Sequence, residues 1–567
     1  MGVFSSVAVK ALISKGYFDV AGMKRYGKNP KLRNEKTLLK IIRQNKDTEY
    51  GKKYHFEQIK SVEDYKRLVP IVEYSDLEND IERIYYKNES NVLTKDKVIG
   101  FANSSGSIGK SKIIPKTKKD LKTYDSYTIT RFLSLTDKYY REKYGHGIKP
   151  YKGINLLLRD QTLSPYGLPS SNIGDLVERK FERLEKFVLV TPLDRQLSIG
   201  EAEKIYFFSR FGLEAKDVSF IFYMFSKGIL EYIEYIKENW QKLAYEIELG
   251  IVDESKIYDK NLLNKLKKQV KPNKQRADEI RRQCRLGFDE TILKRIWPSL
   301  AVISSVSTSS TFEGYTNKIK DYAKDVVIDY SVYGASEGLV AATYKANDPK
   351  QIMLLDSCYY EFALEDDEDL DNILSIDELE VGKKYEIIIT NKSGFYRYRI
   401  KDVIEVIGKY EDCPLINFAY RKGQLLNVNG EKTSLEQMSE AIKRLADLTN
   451  TNITNWCVDV EKENDYYRYN VLIENSDGKD LSIYSSHLDK ILCEVNTLYK
   501  AYKDLIGLPK IFNLKFGAFE KWKQYKISNG APESQVKPVK NLDTKEKSKF
   551  FYDKTETKQV NKRKEKN

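Results

Sequence analysis

One stretch constrains this chain more than any bulk property. Val98, Ile99 and Phe101 form an apolar run that empties into Ser104-Ser105-Gly106-Ser107-Ile108-Gly109-Lys110. The run reads as a buried strand, so a sheet must exist to bury it. Two glycines after it let the backbone turn tightly and approach a ligand closely. Successive main-chain N–H groups in such a turn make an anion-binding concavity, to which hydroxyls and a lysine add donors. The chemistry that suits is a polyphosphate. The stretch is not a Walker A loop, because Ser104 stands where that motif places its first glycine. On this stretch alone, a surface turn and a phosphate site both remain open.

The rest of the chain supplies the sheet. Ile154–Leu158, Phe187–Val190, Ser219–Phe225 and Ala301–Val306 read as strands, and Thr117–Leu135 and Ile229–Leu249 read as helices, the latter stopped by Gly250. Strands alternating with helices predict a mixed α/β domain with a substantial sheet. Glu35–Lys46 puts Leu38, Leu39, Ile41 and Ile42 on one helical face, and Ser61-Val-Glu-Asp64 and Ser75-Asp-Leu-Glu78 carry capping signals for two further helices. Residues 255–285 read as a charged, solvated surface helix, and the acidic run 365–371 as a solvated loop. After 420 the order changes to helix 434–446, strands 453–460 and 466–473, helix 481–501, strand 510–516 and helix 518–528, a small α+β unit. The expected organisation is a large domain over 1–420, a small domain over 421–540 and a Lys-rich disordered tail over 541–567.

Composition narrows the function. The net charge is +13, yet residues 537–567 hold eleven Lys/Arg against five Asp/Glu, which places +6 of it in the last segment. The remainder is dispersed, without a basic stripe interleaved with aromatics, so no nucleic-acid partner is expected. Five widely spaced cysteines without a Cys-x-x-Cys speak for a reducing, cytoplasmic setting and against a zinc site. Three histidines without metal spacing make a His-dependent triad a poor expectation. No apolar run reaches the ~18 residues of a membrane span, so no stable membrane insertion is expected. Met1-Gly2-Val3-Phe4-Ser5-Ser6 matches a myristoylation pattern, a short and weakly specific one.

Two later stretches repeat the design of the first. Val326–Val332 ends at Tyr333-Gly334-Ala335-Ser336-Glu337-Gly338, presenting a ring, a hydroxyl and a carboxylate together. A carboxylate near phosphates suits Mg2+, a hard cation that wants oxygen ligands; an ordinary surface turn is the alternative. Phe395-Tyr396-Arg397-Tyr398-Arg399 continues into Lys401-Asp402, where Asp402 at the head of a strand can accept from a ribose diol or can simply form a turn.

With these stretches together the sequence resembles the Gretchen Hagen three, or auxin-responsive-promoter, family of acyl acid amido synthetases, within the adenylate-forming superfamily. Ser104–Pro115 resembles its phosphate-loop motif, Tyr333–Gly338 its second motif and Tyr396–Val403 its third. The flanks Thr48–Gly51, Val69–Leu77, Ile81–Ile84, Tyr359–Phe362, Gly517–Glu520 and Ser528–Lys537 agree. The resemblance implies an α/β fold with a large ATP- and acid-binding domain and a smaller mobile α+β domain. It also implies a reaction: a carboxylic acid attacks the α-phosphate of ATP to give acyl-AMP, and an amine, typically of an amino acid, then displaces AMP. By motif, Ser104, Ser105, Gly106, Ser107, Gly109 and Lys112 meet the phosphates. Tyr333 lies against adenine, Ser336 touches the α-phosphate, Glu337 holds Mg2+ and Asp402 binds ribose. Arg421 and Lys422 fall at the inter-domain hinge, and Lys537 offsets charge on the α-phosphate.

The implied chemistry needs charge stabilisation at phosphorus more than a proton-transfer base, which fits a chain without an evident catalytic His or Cys. Two departures stand out. Ile108 sits in a loop one residue shorter than the family's, and Lys401 replaces the usual glycine before Asp402. The alternatives are acyl-CoA ligation by the same scaffold and a non-catalytic nucleotide-binding protein. Oligomeric state is not legible.

Overall fold

A computed structural model of the 567-residue chain describes residues 3–104, 112–157, 162–179, 182–191, 201–306, 310–365, 367, 370, 372–422, 426–428, 431–433, 435–463, 466–496, 499–500, 503, 506–529, 531, 536, 538–542 and 544–556. The chain divides into two compact units, Met1–Ala419 and Tyr420–Asn567.

Among the described residues the first unit carries three sheets. Strands β1 (Val98–Ser104), β2 (Lys112–Thr117) and β4 (Ser170–Ser171) form a small sheet in the order β2-β1-β4. Strands β3 (Lys152–Asn155), β5 (Val218–Phe225), β6 (Val302–Val306) and β7 (Val327–Asp329) pair in parallel in the order β3-β5-β6-β7. A seven-stranded sheet runs β11-β12-β13-β14-β10-β9-β8. Its members are β8 (Val332–Gly334), β9 (Leu339–Thr343), β10 (Gln351–Met353), β11 (Tyr359–Leu364), β12 (Lys384–Thr390), β13 (Tyr398–Tyr410) and β14 (Cys413–Arg421).

Local rules explain much of this. The helix Pro30–Asn45 begins where Asn29 accepts from the Leu32 N–H and Pro30 fills the first turn. It buries Leu38, Ile41 and Ile42, and burial of such a side chain stabilises by about 1.5–3 kcal/mol relative to exposure. Its Asn34 covers the edge strand β11 by donating to the Tyr360 carbonyl (2.8 Å) and accepting from the Tyr360 N–H (2.9 Å). The helix Ser226–Leu249 ends at Gly250, whose φ of +66° is the left-handed cap a glycine adopts without strain.

A buried guanidinium ties the parallel sheet to the seven-stranded one. Arg131, on the helix Ile129–Tyr144, donates to both carboxylate oxygens of Asp329 (2.9 and 2.8 Å) and to the Thr343 carbonyl (3.0 Å). The Ser304 and Thr343 hydroxyls also donate to Asp329 (2.6 and 2.8 Å). Burial alone would raise the Asp329 carboxyl, but Arg131 and the hydroxyls hold it below the ordinary aspartate value.

Several expectations are corrected. Phe187–Val190 is not a strand: Glu182–Val188 is helical, and Leu189 makes only an isolated bridge to Gly153. The helical stretch after β2 is two helices, Lys118–Tyr127 and Ile129–Tyr144, broken at Thr128. The capping residue of Tyr74–Lys87 is Glu73, paired with Asp76, rather than Ser75. The region 255–285 is not one solvated helix: within Lys260–Gln269 and Lys274–Arg285, Leu262, Leu266, Arg276, Ala277, Ile280 and Cys284 are buried.

The second unit holds β17 (Ile453–Glu463), β18 (Tyr466–Asn475) and β19 (Ile506–Asn513), with the two-stranded pair β15 (Leu426–Val428) and β16 (Glu431–Thr433). Three of its helices are Leu435–Thr449, Ser485–Val495 and Ala518–Ser528. The disordered tail expected from 541 is contradicted over part of its length. Lys545–Tyr552 is a helix capped by Thr544, with Phe551 fully buried against Trp522, Leu542 and Leu514. The lysine count hid its apolar face; Phe550, Phe551 and Tyr552 have enough to bury.

Candidate active site

The first predicted turn lies mostly outside the described residues: Ser105, Gly106, Ser107, Ile108 and Gly109 are not described, nor is the side chain of Ser104. Its two ends are described. Ser104 pairs with Lys112 where β1 meets β2. The Lys112 ammonium donates to the Tyr398 hydroxyl (3.1 Å) and lies 5.5 Å from the Tyr74 ring centroid. Tyr74 in turn accepts from the Ile113 N–H at 3.0 Å. Burial raises the Tyr74 hydroxyl pKa, and carboxylates including Glu337 add to the rise. Tyr74 was not singled out by the sequence, although it lies in the Val69–Leu77 flank.

The second turn is held from three sides. Ala335 and Gly338 exchange main-chain hydrogen bonds (2.9 and 3.2 Å). The buried Tyr124 hydroxyl donates to the Ala335 carbonyl (2.9 Å), and the Asn391 amide donates to the Glu337 carbonyl (2.7 Å). Gly338 has a steric reason: a Cβ there would stand 2.6 Å from the Cys358 sulfur. The Cys358 thiol is itself pushed up to about 12 by burial, so it stays an unreactive packing group. Ser336 is half-buried at the tip. Glu337 is only 6% exposed, and its carboxylate meets no donor among the described residues.

The third motif meets the second. Tyr333 donates to Asp402 at 2.7 Å; both are buried, and the Phe418 ring lies edge-on to Tyr333 with centroids 5.5 Å apart. Asp402 does not head a strand. It lies inside β13 at a bulge, where the register jumps from Ile388↔Arg399 to Glu386↔Val403. A bulge re-aims the side chains it contains, and this one turns Asp402 toward Tyr333. Lys401, where the family has glycine, adopts φ +65°, the left-handed region that favours glycine. Its ammonium pairs with Glu73 at 2.8 Å.

The structure thus brings Lys112, Tyr333, Glu337 and Asp402 into one unit with the ends of the Gly/Ser turn. Arg421 ends β14, just past the boundary of the first unit, and Lys537 lies outside the described residues. No cluster of three or more His, Cys, Asp or Glu suited to a metal exists among the described residues. A single carboxylate such as Glu337, with its oxygens uncommitted, fits Mg2+, which is held by one or two carboxylates plus substrate phosphates. No helix among the described residues is long and apolar enough to cross a membrane.

Known proteins share the sequence family and the fold. The GH3 family N-terminal domain matches residues 20–328, its central domain 351–421 and its C-terminal domain 436–546. The chain is 25% identical to a probable indole-3-acetic acid-amido synthetase of Arabidopsis thaliana, covering 89% of this chain and 88% of that protein. It is also 25% identical to the 4-substituted benzoates-glutamate ligase of the same plant, covering 90% and 92%. Its fold matches the solved AtGH3.15 acyl acid amido synthetase in complex with 2,4-DB, with a TM-score of 0.81 at 21% identity over 95% of this chain and 96% of that one. The fold is that of the solved GH3 acyl acid amido synthetase, and the chain belongs to the GH3, or Gretchen Hagen three, family.

Proposed function

We propose that this protein is an ATP-dependent acyl acid amido synthetase. In the first half-reaction a carboxylate oxygen attacks the α-phosphorus of ATP, the bond to the β-phosphate oxygen breaks, and pyrophosphate leaves. In the second, an amine attacks the acyl carbon of acyl-AMP, AMP leaves, and the surplus amine proton passes to solvent. The observation that carries this reading is the Tyr333–Asp402 contact, which joins the second and third motifs within one buried site.

The proposed roles follow from the chemistry of each group. Asp402, oriented by the Tyr333 hydroxyl, accepts from the ribose, and Tyr333 flanks the base. Ser104, Ser105, Gly106, Ser107 and Gly109 cradle the phosphates with hydroxyls and main-chain N–H groups, and Lys112 adds a cation. Ser336 donates to the α-phosphate. Glu337 would hold Mg2+, which when bound neutralises charge between the phosphates. Lys537 balances charge on the α-phosphate, and Arg421 serves the hinge between units. Five free cysteines, four of them buried, support a reducing cytoplasmic setting.

The test is product identity. Purified protein with ATP, Mg2+, a panel of aryl, indolyl and fatty acids, a mixture of amino acids and, in a parallel reaction, coenzyme A should yield an acid-dependent N-acyl amino acid by mass spectrometry. A thioester formed with coenzyme A in place of any amide would overturn the amine half of the reading.

A further inference from the structure

We propose that Asn391 is a positioning residue for Glu337, and that it couples the Glu337 turn to the strand leaving the Gly/Ser loop. Asn391 is fully buried, just past the end of β12. Its amide donates to the Glu337 carbonyl (2.7 Å), and its Oδ1 accepts from the Ser393 N–H (2.9 Å) and the Phe395 N–H (3.1 Å). The partners fix which way the amide faces. Main-chain N–H groups can only donate and a carbonyl can only accept, so the flipped amide would break all three bonds.

The chain of bonds continues. The Ser393 hydroxyl donates to Asp120 (3.0 Å) and accepts from the Thr117 N–H (3.3 Å). Asp120 pairs with Lys116 at 2.5 Å, and both side chains are fully buried. Thr117 and Lys116 belong to β2, which leaves the Gly/Ser loop. One buried path therefore runs from β2 through Ser393 and Asn391 to the main chain of Glu337. It reaches the turn at a single atom, the carbonyl of Glu337, whose carboxylate meets no donor among the described residues. Asn391 holds the main chain that carries the carboxylate, one step further out than a contact to the carboxylate itself, whose loss typically weakens metal affinity ~10- to 100-fold.

This inference rests on the reading of Glu337 as the Mg2+ ligand. Asn391→Asp keeps the acceptor for Ser393 and Phe395 but sets an oxygen against the Glu337 carbonyl. The full-length protein is titrated with Mn2+ in the presence of α,β-methylene-ATP, with thermal midpoints measured alongside. Asn391→Asp should bind Mn2+ about tenfold more weakly. A purely structural role would lower the thermal midpoint and leave Mn2+ affinity unchanged, and that result would overturn the proposal. Asn391→Ser, which removes the amide donor and its Oδ1 acceptor without burying a charge, answers the question if the Asp variant does not fold. Glu337→Gln separates the two claims. If it binds Mn2+ normally, the metal reading falls and this inference with it. If it binds weakly while both Asn391 variants bind normally, only the positioning role falls.

Discussion

The two turns that meet at Tyr333 and Asp402 are built on opposite principles. The turn 334–338 obeys local rules: glycine stands where a side chain would collide, and neighbours hold its carbonyls. The bulge at 400–402 breaks them. Lys401 adopts φ +65° and Arg397 φ +46° without a glycine at either position. Left-handed backbone at a residue with a Cβ costs roughly 1–2 kcal/mol. It persists because flanking charges over-determine it. Arg397 is buried on Glu361 (3.0 Å) and Arg399 grips Glu386 (2.5 and 3.0 Å), whereas the half-exposed pair of Lys401 with Glu73 (2.8 Å) adds little. One turn is held by close packing and the other by surrounding ion pairs, so the first should tolerate no added atoms and the second should have stability to gain.

The largest effect tests the platform under the turn 334–338. Arg131→Met leaves Asp329 buried without its partner, and such a break costs about 3–5 kcal/mol; a large fall in thermal midpoint is expected. The wild-type pair has a pH signature. The Asp329 carboxyl is lower in the folded than in the unfolded protein, so its stabilisation is complete above the ordinary aspartate range and is lost as pH falls through the folded value. The acid limb of the stability profile should therefore flatten in Asp329→Asn.

Next is the packed turn. Gly338→Val drives carbon into the Cys358 sulfur, displacing Ser336 and Glu337, and adenylation should fall about 100-fold. Near-normal activity would show that packing does not hold this turn. Tyr333→Phe removes one donor from buried Asp402, and a hydrogen bond to a charged group contributes about 1.5–3 kcal/mol; the expected signature is a weaker apparent affinity for ATP, about tenfold, read from the ATP dependence of the exchange rate. The smallest effect tests the strained side. Lys401→Gly relieves the left-handed residue while losing a half-exposed ion pair worth little. A gain of about 0.5–1 kcal/mol in denaturant unfolding, with activity retained, is expected; a loss of stability would contradict the account of the bulge.

Legibility in the sequence follows the range of the interactions. The helical face over Glu35–Lys46 and the order of elements from 435 to 528 were readable because apolar spacing is local, while the start of that helix at Pro30, capped by Asn29, was not read. Phe187–Val190 looked like a strand because its residues favour strands, but helical pairing overrode that propensity. Tyr74, Asn391 and Tyr124 were invisible because their partners are remote. Asn391 lies 54 positions from Glu337, Lys112 286 from Tyr398, and Tyr124 211 from Ala335. Lys401 was legible as an anomaly, because a position that needs glycine announces itself only when another residue occupies it.

The most direct test of the central claim is acid-dependent ATP–pyrophosphate exchange, which reads adenylation without the amine. Wild-type protein should exchange in the presence of a suitable aryl, indolyl or fatty acid, and Glu337→Gln should lose at least about 100-fold of that rate with its thermal midpoint preserved. Exchange that no acid stimulates, or that survives intact in Glu337→Gln, would contradict the account.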